Sequence, residues 1–131
     1  MKIAIAQLNP IIGDILGNAK LILDAAQKAQ NLDAKLIITP ELSLIAYPPR
    51  DLFIYPSLIE AAALELEKLA KDLPSEIAIL VGTITFNSQA SNTGEKLLFN
   101  SAVLFTNGKI QQIFHKQLLP TYDVFDEGGQ N

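Results

Sequence analysis

Two stretches of helical period, each set between short aliphatic runs, constrain this chain more than any other feature. In the first, Ile15, Ala19, Ile22, Leu23, Ala26 and Ala29 recur at helical spacing, with Asn18, Lys20, Asp24, Gln27 and Lys28 on the other side. That pattern predicts an amphipathic helix from about Gly17 to Asn31, capped by Asp14 or Asn18. In the second, Ile59, Ala62, Ala63, Leu66, Leu69, Ala70 and Leu73 form the apolar face, Ser57 and Glu60 have capping-box spacing, and Pro74 ends the helix. Lys2 to Leu8 reads as a buried strand and Lys35 to Thr39 as a second, stopped by Pro40. Strands joined by crossover helices run parallel.

After the second helix come three more strands: Ile77 to Phe86, Leu97 to Phe105 and Lys109 to Phe114. The last two flank Asn107-Gly108, a pair that tolerates positive φ at both turn positions and so signals a hairpin. Asn87 to Lys96 is a polar loop, and Tyr47-Pro48-Pro49-Arg50-Asp51 a rigid turn. The expected order is β-α-β-α-β-β-β in an α/β fold, with parallel strands first and a hairpin last. The tail, Asp126 to Asn131, reads as a loop with nothing packed behind it, which suggests a cut.

Composition narrows the chemistry. The 131 residues hold no cysteine, which excludes disulfides, thiolate metal sites and a thiol nucleophile within the chain. Ten basic against fourteen acidic side chains, with no Lys/Arg cluster, give no reason to expect nucleic acid or a membrane surface. No stretch approaches the length of a membrane span, and a cytoplasmic location is expected. No metal site is expected either.

Ligand sites in open α/β sheets gather outside the carboxyl ends of parallel strands, where Glu41 follows the second strand. Lys116 follows the apolar run ending at His115. Alone, Glu41 reads first as an exposed loop glutamate, Lys116 as a solvated lysine, and His115 as a strand or rim residue rather than a base.

Four motifs in order change that reading. Ile3-Ala4-Ile5-Ala6-Gln7-Leu8-Asn9 with Gly13-Asp14 and Gly17-Asn18, then Pro40-Glu41-Leu42, resemble the nitrilase (carbon–nitrogen hydrolase) superfamily. Tyr47-Pro48-Pro49-Arg50-Asp51-Leu52 and Lys116 to Glu127 resemble the glutaminase domain of its glutamine-dependent NAD synthetase branch. The resemblance implies the α-β-β-α sandwich of that superfamily, of which residues 1–131 would be an incomplete amino-terminal part. It implies Glu41 as general base and Lys116 as oxyanion stabiliser, with Tyr122 touching substrate and Glu127 a supporting acid. The attacking cysteine, the second half of the domain and an ATP- and Mg²⁺-dependent synthetase domain would all lie outside this chain. L-glutamine is the implied substrate and a homo-oligomer the implied assembly, and the chain alone is expected to be inactive. The rival readings are another nitrilase-type amidase and a non-catalytic α/β binding or assembly module.

Overall fold

The first crossover shows how the chain builds its sheet. In the computed structural model, which describes residues 1–41, 43–45, 56–87 and 97–119, β1 (Ile3–Ile5) leads through α1 (Ile15–Asn31) to β2 (Leu36–Ile38). α2 (Pro56–Asp72) then leads to β3 (Ala78–Asn87), β4 (Leu97–Thr106) and β5 (Lys109–Leu119). The five strands form one sheet in the order β1-β2-β3-β4-β5. β1, β2 and β3 are parallel, and β3-β4 and β4-β5 antiparallel, as the alternation of elements predicts. Both crossovers step the same way across the sheet, so their right-handedness puts α1 and α2 on one face. Tyr47–Asp51, residues 88–96, Tyr122, Glu127 and the tail lie outside the described residues.

Register defines the covered face. Ile37 pairs with Ile79, Ile79 with Phe105 and Val81 with Val103, and all of these side chains are buried. They pack with Ile22, Ala26, Ile59, Leu66 and Leu69 from the helices into one core. Ala63, expected on the apolar face of α2, is exposed instead. Among the described residues, neither helix is long and apolar enough to cross a membrane.

The opposite face is also apolar; it is open around β1 and Phe114, whereas Ile84, Leu98 and Asn100 on the same face are buried. Ile3 and Ile5 of β1 are 49% and 76% exposed, and Phe114 of β5 is 41% exposed. Leu36, Ile38, Leu80 and Leu104 lie half-buried between them. The expectation of a buried first strand over Lys2 to Leu8 is therefore corrected. β1 is a three-residue edge strand, and only Ala4 of it turns toward the helices. An aliphatic run reports affinity for a second layer, not whether these residues supply one.

Local signals explain the ends of elements. α1 begins at Ile15, two residues before the expected start, because Asp14 caps it: its carboxylate accepts from the Gly17 N–H at 3.0 Å. A Cβ at position 17 would collide with that carboxylate, so glycine there keeps the cap in place. Asp14→Ala is expected to lower stability by about 1 kcal/mol, the worth of one N-cap, measured by urea denaturation. Pro56 opens α2, where its missing N–H costs no helical bond, and leaves Ser57 inside the first turn. Asn107 and Gly108 have φ of 52° and 76°, which makes the β4–β5 connection the expected hairpin turn.

Candidate active site

Glu41 and Lys116 meet. The Lys116 Nζ donates to the Glu41 Oε2 at 3.1 Å, and the side chains are 47% and 48% exposed respectively. β2 and β5 are three strand spacings apart, about 14 Å at roughly 4.8 Å each, too wide for side chains to bridge from strand positions alone. Two local departures from regular structure close that gap.

The first is at Lys116, and it corrects the sequence reading, which put this residue beyond a strand end. β5 continues to Leu119, and Lys116 lies within it. Ser101 faces His115 and Asn100 faces Gln117, so Lys116 is the extra, unpaired residue of a β-bulge. A bulge bends its strand and re-aims a side chain, which is how an interior position of β5 can present an ammonium to a distant loop. His115 points elsewhere: its Nδ1 lies 3.2 Å from the Ser101 Oγ, and its ring centroid 4.4 Å from that of Phe99.

The second departure is the turn after β2. The Ser43 N–H donates to the Pro40 carbonyl at 3.2 Å, closing a turn that contains Glu41. The turn is tied to β3. The Thr39 hydroxyl donates to the Leu80 carbonyl at 2.9 Å and accepts from the Gly82 N–H at 3.3 Å. The Ser43 Oγ is 2.8 Å from the Thr39 Oγ1. A hydroxyl has one proton, and Thr39's is used on Leu80, so Ser43 is the donor of that pair. Thr39 and Ser43 are buried, while Glu41 between them faces solvent.

Asn18 braces the same segment from α1. It was placed on the polar side of that helix, but it is only 1% exposed. Its amide donates to the carbonyls of Ile11 at 2.8 Å and Leu44 at 2.9 Å, and accepts from the Ile11 N–H at 2.7 Å. The spacing held the signal: Asn18 stands three residues after Ile15 and four before Ile22, on the apolar stripe itself. A polar residue there must be satisfied internally. Thr39 and Ser43 carried no comparable signal, since hydroxyl residues beside a proline turn are commonplace.

Tyr122 and Glu127 lie outside the described residues. A cleft of about 520 Å³ runs beside β1 and α1, lined by Ala4, Gln7, Asp24 and Lys28 among others, and neither Glu41 nor Lys116 borders it. The cleft's own acid and amine, Asp24 and Lys28, form no ion pair among the described residues, whereas Glu41 and Lys116 are in direct contact. Among the described residues no group of three or more His, Cys, Asp or Glu is placed to hold a metal ion. The pair can accept a proton and stabilise an anion, but with no cysteine in the chain it has no thiol to attack with.

The sheet thus brings an acid and an amine into contact, and the chain belongs to the carbon–nitrogen hydrolase family, whose model matches residues 2–130. Within it, the chain is 57% identical over 125 residues to the glutamine-dependent NAD(+) synthetase of Synechocystis sp., covering 95% of this chain and 22% of that protein. The solved glutamine-dependent NAD+ synthetase of Acinetobacter baumannii, in complex with ADP, superposes with a TM-score of 0.74 at 32% identity, over 96% of this chain and 22% of that one. A mutant amidase from Nesterenkonia sp., with acrylamide added at its active-site cysteine, superposes with a TM-score of 0.68 at 26% identity, over 88% of this chain and 44% of that one. The chain therefore spans about a fifth of the length of the synthetases it matches.

Proposed function

We propose that this chain supplies the general base and the oxyanion-stabilising cation of a glutaminase site within a glutamine-dependent NAD synthetase. The observation that carries the reading is the contact between Glu41 and Lys116. On this reading a cysteine from a part of the domain outside these residues completes the site. The same outside part covers the open sheet face of Ile3, Ile5 and Phe114, giving the two-sheet packing of a sandwich.

Each step follows from what these groups can do. The Glu41 carboxylate takes the proton of the cysteine thiol as sulfur attacks the side-chain amide carbon of L-glutamine. The carbonyl oxygen becomes an oxyanion, and the Lys116 ammonium donates a hydrogen bond to it. When the tetrahedral adduct collapses, the carbon–nitrogen bond breaks and Glu41 returns its proton to the departing ammonia. A water molecule, deprotonated by Glu41, then attacks the thioester and releases glutamate and the thiol. Half-exposure of both side chains leaves room for substrate and sulfur to enter beside them. ATP and Mg²⁺ serve the synthetase part, which receives the ammonia. Among the described residues no group of three or more His, Cys, Asp or Glu is placed to hold the Mg²⁺.

The test is a chimera in which this chain replaces the matching segment of the Synechocystis synthetase. Ammonia release from glutamine is the expected result. A folded chimera that releases none, beside an active parent, overturns the reading.

A further inference from the structure

We infer that Thr39 and Ser43 are positioning residues, a buried hydroxyl clamp that holds the Glu41 carboxylate at Lys116 by locking the Glu41 turn onto β3. The inference rests on the proposed function for its catalytic meaning, but its geometry stands apart from it.

The two residues straddle Glu41 in sequence and join hands across it in space, hydroxyl to hydroxyl at 2.8 Å. Thr39 uses its whole bonding capacity, one proton given and two lone pairs filled, and both its bonds outside the pair go to β3. The Thr39 N–H adds a third link, to the Leu80 carbonyl at 3.0 Å, and the Leu44 N–H reaches the Gly82 carbonyl at 3.0 Å. β3 pairs with β4, and β4 with β5, where the bulge holds Lys116. One continuous hydrogen-bonded frame therefore fixes acid and amine relative to each other. Without the hydroxyls, Glu41 keeps its chemistry and loses its address. Valine matches threonine in shape, so Thr39→Val removes the bonds while filling the space, and Thr39→Ser keeps the hydroxyl.

A base displaced by around an ångström is expected to lower kcat for ammonia release about a hundredfold in the chimera carrying Thr39→Val, with KM for glutamine little changed. Ser43→Ala, which removes the donor to Thr39, should lower kcat in the same direction by a smaller factor. Thr39→Ser should restore kcat. A fall in thermal stability with kcat unchanged, or no rescue by serine, overturns the inference. A second measurement does not depend on catalysis. In the 131-residue chain, the ¹⁵N resonance of the Lys116 ammonium should move on Glu41→Gln. That response should vanish in the Thr39→Val and Ser43→Ala backgrounds. If the chimera is inactive but the response behaves this way, the glutaminase reading fails and the clamp stands. If the response persists in both backgrounds, the clamp fails.

Discussion

Glu41→Gln in the chimera is expected to reduce ammonia release from glutamine on the order of 10⁴-fold, the upper range for loss of a general acid–base group. Glutamine is nearly the same size as glutamate but cannot take the thiol proton, return it to ammonia or activate water, so both halves of the reaction suffer. Lys116→Met is expected to cost about 10³-fold, the upper range for loss of one oxyanion donor. Combining them should cost less than the product of the two, because both act on one transition state. Stability should respond quite differently. The pair is about half-exposed, and exposed ion pairs contribute about 0–1 kcal/mol, so neither variant should shift the urea midpoint of the isolated chain far. Parental ammonia release in either variant would remove that residue from the mechanism. A loss of several kcal/mol would make the contact a structural one.

Phe105→Ala should destabilise the chain by about 3–5 kcal/mol, whereas Phe114→Ala should cost about 1 kcal/mol. Both are phenylalanines on the antiparallel pair of β4 and β5, but they face opposite ways. Phe105 is 2% exposed, lies opposite Ile79 and packs in the core beneath the helices. Deleting its ring leaves a cavity that rigid neighbours cannot fully close. Phe114 is 41% exposed on the open face and leaves no enclosed void. Urea denaturation of the 131-residue chain measures both. Equal losses would mean that the open face is already as well packed as the covered one. Small domains are stable by about 5–15 kcal/mol, so the first substitution consumes a large part of the margin.

The open face and the ion pair are connected. Ile5 and Phe114 mark an exposed apolar surface, and on the proposed function Glu41 and Lys116 act with a sulfur the chain does not contain. One further segment would then serve both, because a second sheet laid on the first would bring its own loops to the end where Glu41 stands.

Local physics was enough for the order of elements. Helical spacing from Ile15 to Ala29 and from Ile59 to Leu73, two positive-φ residues at Asn107-Gly108, and crossovers too long for hairpins determined two helices, a parallel start and a closing hairpin. These are properties of neighbouring residues, and neighbours are what a sequence displays. The site depended on partners far along the chain. Nothing near Lys116 announces a bulge, because the extra residue exists only relative to the pairing of β4 with β5. Nothing near Ile3 and Ile5 tells whether a layer will cover them. Thr39 and Ser43 became a clamp only when β3 arrived beside them, 41 residues from Thr39 to Leu80 in sequence and 2.9 Å in space. Residue types and element order came from the chain itself, and the distance between acid and amine came from the sheet, because long-range pairing alone sets how far apart two strand-borne groups stand.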